Sequence, residues 1–193
     1  TGGNLDLKKK YKAKIIGSKK DEKRIPGIEI KLSDNEDFKL GSIDFKTFFV
    51  PGHTSGHICF YSKVEKVVFT GDTLFSLGCG KVFEGTHLEM FRSLNLIKKL
   101  PLDTQIYCGH EYTQKNLNFC IKYEINKKLE EKKKWIISRL HQKQPTIPVT
   151  VKEELNTNIF LRCDNSEVKK SLDMENSTEL EVFKKLRDLK DIF

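Results

Sequence analysis

Three short apolar runs in the first half of the chain each end in a glycine that is followed directly by a residue able to bind a metal. The three metal-competent residues are His53, Asp72 and His110. Glycine permits a tight turn at the end of a strand, and imidazole and carboxylate groups are common protein ligands of transition metals. One such turn is ordinary turn chemistry, but three of them in one half of the chain favour a metal site.

The spacing of these residues excludes a site built on one local motif. His53 and Asp72 are 19 residues apart, and Asp72 and His110 are 38 apart, which is too far for a single helix or a zinc finger. Only the fold can therefore bring the three side chains together. Ligands at the ends of neighbouring strands would meet at one edge of a sheet, where α/β folds commonly place their sites.

Other residues near these three suggest supporting roles. His57 follows His53 by four residues, but the Pro and Gly content here predicts a loop, so we expect His57 to orient a ligand or a loop. Glu111 is equally compatible with a place behind the metal ligands and with solvent. The segment Gly78–Lys81 lacks the spacing of a nucleotide-binding loop, and its Lys81 is compatible with binding a carboxylate or with a solvated turn.

The elements that must position these residues are predicted strands with one helix between them. Short β-branched and aromatic runs separated by turn residues predict strands from about Ile15 to Cys108. The helix is predicted to begin at the capping-box pair Thr86 and Glu89 and to end before Pro101. A strand–helix–strand passage of this kind predicts an α/β layered fold.

The pattern becomes helical after His110. Further capping boxes begin at Thr150 and at Thr178. Before them, a charged helix is predicted in which Leu129, Lys133, Ile136 and Leu140 share a face. On the last helix Arg187 and Lys190 share a face and could bind a carboxylate together, although a solvated helix end explains them better when they are taken alone.

The composition excludes several classes of protein. The chain has 193 residues, 37% of them hydrophobic and 32% charged, which suits one globular unit with room for a small second domain. No apolar stretch approaches the length of a membrane helix. Five cysteines without a CxxC pair argue against a disulfide framework and favour a reducing compartment. The net charge of +8 suits an anionic partner, although most lysines are expected to be solvated surface residues.

Several motifs that together span almost the whole chain point to one family. They are Thr1–Asn4, Pro51–His57, Phe69–Phe75, Gly78–Lys81, Glu84–Thr86, Tyr107–Tyr112 and Arg187–Asp191. Read together, they closely resemble glyoxalase II (hydroxyacylglutathione hydrolase), of the metallo-β-lactamase fold superfamily. The resemblance implies hydrolysis of the thioester S-(2-hydroxyacyl)glutathione, chiefly S-lactoylglutathione, to a 2-hydroxy acid and glutathione. It also implies a binuclear centre of two divalent metal ions, with zinc expected first and iron or manganese as alternatives, at which hydroxide attacks the thioester.

The resemblance also implies a role for each motif residue. His53 would bind the first metal, His110 the second, and Asp72 would bridge them as the catalytic carboxylate. The residues implied in substrate binding are Lys81, Phe83, Tyr112, Arg187 and Lys190. The three cations among them would hold the carboxylates of glutathione, and Tyr112 would line the thiol-bearing part. The family often has a Tyr at the position of Phe83, and Phe lacks the hydroxyl that contacts the substrate.

The implied fold is an α/β, metallo-β-lactamase-like αββα sandwich, N-terminally incomplete, followed by a small helical C-terminal domain. We expect the first domain to occupy residues 1–112 and the helical substrate-binding domain residues 113–193. The implied partner is the small glutathione thioester, with no nucleic acid and no membrane. A monomer in the cytoplasm is expected, with organellar targeting left open.

One family motif is not found in these 193 residues. The resemblance places a Thr-His-x-His-x-Asp-His segment immediately before Gly2-Gly3-Asn4, where it supplies two histidines to the first metal and an Asp and a His to the second. The residues present would give each metal one His and a shared Asp, fewer ligands than catalytic zinc requires. We therefore expect the chain to be a fragment that binds metal weakly and has negligible activity by itself.

Other interpretations remain open at this stage. The first is a non-catalytic relative that keeps the glutathione pocket as a binding module. The second is another hydrolase or a persulfide dioxygenase of the same superfamily, against which the helical C-terminal part with Arg187 and Lys190 argues. The third is a basic nucleic-acid binder, for which no stacking or groove-reading motif is visible.

Overall fold

Ten strands, seven α-helices and two 3₁₀ helices (Lys19–Asp21 and Ile159–Leu161) make up the regular structure of residues 2–193, the part of the chain that the computed structural model describes. The strands are β1 (Ile16–Ser18), β2 (Ile30–Leu32), β3 (Asp37–Leu40), β4 (Ile43–Phe49), β5 (Ile58–Ser62), β6 (Val67–Gly71), β7 (Leu74–Phe75), β8 (Gly78–Cys79), β9 (Gln105–Cys108) and β10 (Val149–Thr150). The helices are α1 (Asn4–Tyr11), α2 (His87–Lys98), α3 (Thr113–Tyr123), α4 (Lys127–His141), α5 (Val151–Thr157), α6 (Ser166–Lys170) and α7 (Glu179–Asp191).

The topology of the main sheet explains why three strand ends meet. Its six strands have the order β10-β9-β6-β5-β4-β3. Strands β4 and β6 are both antiparallel to β5 and therefore run in the same direction, and β9 is parallel to β6. The carboxyl ends of β4, β6 and β9 thus lie at one edge of the sheet. The turns that follow these three strands carry His53, Asp72 and His110.

The predicted helix starts agree with the structure. Complete capping boxes open α2 at Thr86, α5 at Thr150 and α7 at Thr178, in each case with a glutamate at the third helical position. Each box satisfies backbone N–H groups that have no partner within the helix. The local sequence therefore determines where these three helices begin.

One continuous apolar cluster joins the two halves of the chain. It includes Cys59 and Val68 from the sheet, Leu94 from α2, and Phe160 and Phe183 from the helical second half. Strand β10 also belongs to the second half and pairs with β9. The α/β class is thus confirmed, whereas the division into residues 1–112 and 113–193 stays a prediction.

The buried face of α4 coincides only in part with the face shared by Leu129, Lys133, Ile136 and Leu140. The structure buries Leu129, Lys132 and Ile136, while Leu140 is exposed. Lys132 is buried because its ammonium group pairs with Glu153 at 2.9 Å and lies 4.3 Å from the centre of the Trp135 ring. A lysine with such partners can lie on the inner face of a helix, and a hydrophobic pattern alone does not reveal this.

Candidate metal and substrate site

The three side chains with metal-competent groups converge at the sheet edge. Nε2 of His53 lies 3.5 Å from one carboxylate oxygen of Asp72, and Nε2 of His110 lies 3.4 Å from the other. The two histidines therefore face different oxygens of one carboxylate, so Asp72 could be shared by two ions. The expected proximity is confirmed, and the role of these residues as metal ligands stays a prediction.

Asp72 is held in a space that admits no extra atoms. A Cβ atom at Gly80 would lie 1.9 Å from the backbone oxygen of Asp72, and one at Gly109 would lie 2.7 Å from its Oδ1. The buried Oδ1 accepts no hydrogen bond from residues 2–193. Buried carboxylate oxygens are normally paired, so this atom fits a position that faces a cation.

His57 supports this carboxylate through the backbone. Its Nε2 accepts a hydrogen bond of 2.9 Å from the backbone N–H of Asp72. Burial, and to a smaller extent neighbouring His53, lowers the pKa of His57 and so favours the neutral ring that this acceptor role requires. The structure thus supports the expected orienting role of His57.

Both candidate histidines are oriented by neighbours. Nδ1 of His53 lies 2.8 Å from the carbonyl oxygen of Lys81, which can only accept, so Nδ1 donates this hydrogen bond and Nε2 is the ring nitrogen that faces Asp72. Metal-binding histidines commonly use their second nitrogen in this way. The ring of His110 stacks on Tyr112, with centroids 5.0 Å apart.

An aromatic ring packs against each of the two histidines. Phe83 is exposed and contacts the ring of His53 edge-on, with centroids 5.0 Å apart. Tyr112 is also partly exposed, and it packs against both His110 and the buried Phe75. These rings offer an apolar surface beside the two histidines, which suits the carbon and sulfur atoms of a thioester.

Two of the three predicted cations remain accessible. Lys81 is exposed, and its Nζ lies 5.8 Å from the centre of the Phe83 ring. Lys190 is half-buried between the rings of Phe119 and Phe193, each 4.9 Å from Nζ, and this burial lowers its pKa. Either ammonium group can pair with a carboxylate.

Arg187 has different surroundings from those expected of a solvated helix end. It is only 4% exposed, and its Nη1 donates to the carbonyl oxygens of Cys79 at 2.9 Å and of Gly80 at 3.4 Å. Its Nη2 pairs with Asp191 at 2.9 Å. The guanidinium group thus holds the backbone that leads into Lys81, and its direct contact with a substrate carboxylate stays a prediction from the resemblance.

Glu111, Cys79, His87 and His141 also carry groups that could take part in chemistry, and the structure shows the surroundings of each. Glu111 accepts a hydrogen bond of 2.7 Å from the hydroxyl of Thr146 and thus fastens a loop of the second half. Burial raises the pKa of the Cys79 thiol, which opposes a role as nucleophile. His87 is partly exposed beside Asp188, and His141 is exposed.

Sequence reasoning did not foresee the contacts of Glu84. Its carboxylate forms two hydrogen bonds with Arg24, of 2.7 and 2.8 Å, and accepts others from the backbone and the hydroxyl of Ser55. These contacts hold the pKa of Glu84 near 2. They tie the loop of His53 to the loop of Lys81 and Phe83. Glu84 belongs to a motif quoted above, but its partner Arg24 is 60 residues away, so no local signal could reveal the pair.

Among residues 2–193, no helix is long and apolar enough to cross a membrane. In the same residues, no group of three or more His, Cys, Asp or Glu side chains is arranged to hold one metal ion, because His53 and His110 lie at opposite oxygens of Asp72. The two histidines and the shared carboxylate nevertheless have the chemistry that divalent zinc, iron or manganese prefers.

Comparison with known families gives two matches that together cover the chain. Residues 1–110 match the family described as "Metallo-beta-lactamase superfamily", and residues 111–193 match "Hydroxyacylglutathione hydrolase C-terminus". A hydroxyacylglutathione hydrolase of Pelagibacter ubique is 52% identical over all 193 residues, and one of Methylococcus capsulatus is 42% identical over the same length. The chain spans 75% of the length of each of these relatives.

Solved structures show the same fold at low sequence identity. The crystal structure of ETHE1 from Myxococcus xanthus is 18% identical, with a TM-score of 0.62 that covers 96% of this chain and 62% of that one. A metallo-β-lactamase from Staphylococcus aureus is 22% identical, with a TM-score of 0.57 that covers 96% and 52%. The expected metallo-β-lactamase-like fold is therefore confirmed.

Proposed function

The chain belongs to the hydroxyacylglutathione hydrolases of the metallo-β-lactamase superfamily, and from this membership we propose its reaction and the residues that carry it. The reaction is hydrolysis of S-(2-hydroxyacyl)glutathione, with S-lactoylglutathione as the first substrate to test, to a 2-hydroxy acid and glutathione. The observation that carries the proposal is the convergence of His53, Asp72 and His110 in a chain that matches the family from one end to the other.

The superfamily implies divalent metal ions, and the proposed ligands in these residues are His53 for one ion, His110 for the other and Asp72 for both. Such ions lower the pKa of water and polarise the carbonyl oxygen of the substrate. We propose zinc as the metal because imidazole nitrogen and carboxylate oxygen atoms are among its usual ligands. Iron and manganese are the alternatives.

The side chains around this centre have separate tasks. The proton on Nδ1 of His53 stays on its hydrogen bond to the Lys81 carbonyl, which leaves Nε2 as the binding atom. His57 accepts the backbone N–H of Asp72 and so fixes the carboxylate at the sheet edge. Because these groups are already oriented before substrate arrives, little reorganisation is needed during the reaction.

The substrate side of the site combines apolar rings with cations. Phe83 and Tyr112 would contact the acyl and thiol-bearing parts and exclude water from them. Lys81 and Lys190 would pair with the two carboxylates of glutathione, and Arg187 would contribute to the same subsite. Neutralising those carboxylates gives a specific use to part of the +8 net charge.

The oligomeric state and the cellular compartment of the enzyme are also proposals. We propose that it acts as a monomer in the cytoplasm. The reducing compartment is supported by the five cysteines, all of which are free in the described part of the chain.

Replacement of the bridging carboxylate tests the reaction. The variant Asp72→Asn is made in the polypeptide translated from the whole coding sequence. We expect its rate of thioester hydrolysis to fall by at least about a hundredfold, because the neutral amide cannot bridge two cations. Asp44→Asn, on an exposed residue of β4, is the control and should keep full activity. Hydrolysis of S-lactoylglutathione that survives both Asp72→Asn and a chelator would contradict the proposal.

A non-catalytic glutathione-binding relative is the second candidate, which the accessible cations Lys81 and Lys190 beside the aromatic rings would also suit. Calorimetry with glutathione, run beside the hydrolysis assay on the same whole-coding-sequence polypeptide, separates the two functions. Binding without hydrolysis would support the second candidate.

A further inference from the structure

The hairpin formed by β7 and β8 connects the two halves of the proposed site. Asp72 lies two residues before it and Lys81 two residues after it. The backbone N–H of Gly80 donates to the carbonyl oxygen of Thr73 at 3.1 Å and closes the hairpin at its base. Any movement of the hairpin would therefore shift the proposed bridging carboxylate and the proposed substrate lysine together.

Side chains of the helical second half hold this hairpin through its backbone. Asn116 donates to the carbonyl oxygen of Ser76 at 3.0 Å, and Asn158 donates to that of Gly78 at 3.1 Å. Glu154 accepts the backbone N–H of Leu77 at 2.8 Å, and its same oxygen accepts from the amide of Asn158 at 2.9 Å. The turn is thus built into a buried polar network that neither strand could supply.

The turn needs this network because its backbone is strained. Leu77 has φ of 60°, in the left-handed region, and its side chain is fully buried. This conformation is unfavourable for a non-glycine residue, because Cβ approaches the following carbonyl oxygen. A buried N–H without an acceptor would add a further cost, so the acceptor on Glu154 stabilises the turn.

Glu154 is itself unusual for a buried carboxyl group. It is fully buried, and its second oxygen, Oε1, has no hydrogen-bond partner among residues 2–193. Burial raises its pKa to about 7, with Leu77, Lys132 and Asn158 acting in the opposite direction. A carboxyl group in an apolar interior without a full set of partners costs stability, and neither metal binding nor substrate contact requires it at this depth.

We infer that Glu154 and Asn158 are positioning residues that lock the Leu77 turn and thereby fix Asp72 and Lys81 relative to each other. The inference rests on the proposed function for its consequence, because the two hairpin ends matter only if Asp72 bridges metal and Lys81 binds substrate. Neither residue touches the three metal-competent side chains or the aromatic rings around them in the hydrogen bonds described above. Their effect passes through the hairpin backbone.

Hydrogen exchange at the hairpin tests the lock directly. In the 193-residue chain, Glu154→Ala should speed exchange of the Leu77 amide by about tenfold to a hundredfold, which corresponds to the loss of one buried acceptor. Glu154→Gln keeps an acceptor oxygen of the same reach, so it should stay within about threefold of the wild type. Val168→Ala, in the core of α6 and outside the network, is the control for general loss of stability.

A second readout tests the consequence for the site. In the polypeptide translated from the whole coding sequence, Glu154→Ala should raise KM for S-lactoylglutathione and weaken glutathione binding about tenfold, and Glu154→Gln should restore both. Unchanged exchange at Leu77 in Glu154→Ala, relative to Val168→Ala, would overturn the lock. Faster exchange with unchanged KM and glutathione affinity would overturn the positioning role.

The two proposals fail in different ways. A wild-type enzyme that neither binds glutathione nor hydrolyses the thioester would contradict the proposed function, and the exchange rates would still decide whether Glu154 locks the turn. If Glu154→Ala cannot be purified, Asn158→Ala is measured in its place. It removes the 3.1 Å contact with Gly78 and should also speed exchange of the hairpin amides.

Discussion

The contacts that position Asp72 come from residues that are far from it in the sequence. Its carboxylate faces two histidines, its backbone N–H is held by His57, and glycines on either side leave room for nothing but the carboxylate. The geometry of the site therefore depends on the lack of a side chain at Gly80 and Gly109 as much as on the side chains that are present. We expect substitutions of these glycines to disturb the position of the Asp72 carboxylate more than the stability of the fold.

Gly109→Ala tests the importance of that space. The added Cβ would lie 2.7 Å from Oδ1 of Asp72, so the carboxylate must move away from the proposed bridging position. We expect metal affinity in the whole-coding-sequence enzyme to fall by about tenfold to a hundredfold, in line with the effect of disturbing the surroundings of metal ligands. Gly3→Ala, where the new atom meets nothing within 4 Å, is the control, and equal metal affinities in the two variants would contradict the prediction.

Glu154 predicts a pH dependence whose sign follows from its burial. The pKa in the folded chain, about 7, lies above the ordinary value of 4.5. Between these values the folded state keeps a proton that the unfolded state has lost, so the free energy of unfolding falls as pH rises from about 4.5 to 7. The total loss of unfolding free energy over this range is on the order of 3 kcal/mol, and no further loss occurs above the folded pKa.

Glu154→Gln removes this titration. Chemical denaturation between pH 5 and 8 should show a stability that falls with pH more steeply in the wild type than in Glu154→Gln. Parallel curves for the two proteins would show that the carboxyl group does not hold its proton in the folded state.

At the scale of elements, the loops at the sheet edge are joined by a clamp outside the proposed metal ligands. Glu84 links Arg24 and Ser55 and thereby ties the loop of His53 to the loop of Phe83. Because Arg24 and Ser55 hold the pKa of Glu84 near 2, the contribution of its charge is present above the ordinary pKa and is lost only as pH falls towards 2. The clamp should therefore be constant through the physiological range.

Arg24→Gln is expected to loosen this clamp with little effect on stability. The pair is exposed, so its energetic contribution is small and KM should rise by less than about fivefold. Lys23→Gln, the adjacent charge change, should leave KM as it is. A larger loss of stability than of substrate affinity in Arg24→Gln would show that the pair serves the fold and not the site.

The whole molecule is organised around one core that both halves share. Sheet residues, α2 and the helices of the second half belong to the same apolar cluster, and the second half holds the hairpin that carries Asp72 and Lys81 at its ends. The proposed boundary near Tyr112 thus separates two sequence families that form one packed unit. We propose that the helical part contributes position as well as substrate contacts.

A polypeptide limited to these 193 residues is expected to bind metal weakly and to hydrolyse S-lactoylglutathione negligibly. Each ion would receive one His and a shared Asp, fewer protein ligands than the three that catalytic zinc sites usually have. Metal analysis after dialysis, together with a turnover assay, checks this expectation. Two ions retained per chain with measurable hydrolysis would contradict it.

The sequence by itself determined the features that depend on neighbouring residues. The capping boxes at Thr86, Thr150 and Thr178 have the predicted form because a cap is made by side chains three residues apart. The strand ends at His53 and His110 were also predictable, since an apolar run that stops at a glycine is a local signal. The family followed from motifs of a few residues each.

Only the tertiary structure decided which distant groups meet. The 3.4 and 3.5 Å distances around Asp72 require β4, β6 and β9 to run in the same direction in one sheet. Lys132 and Arg187 were expected at the surface, but the structure buries both. Glu153 pairs with the ammonium group of Lys132, and the carbonyl oxygen of Cys79 accepts a hydrogen bond from Arg187. Such partners come from elements far apart in the chain, and their positions are set by packing of the shared core, which no local pattern encodes.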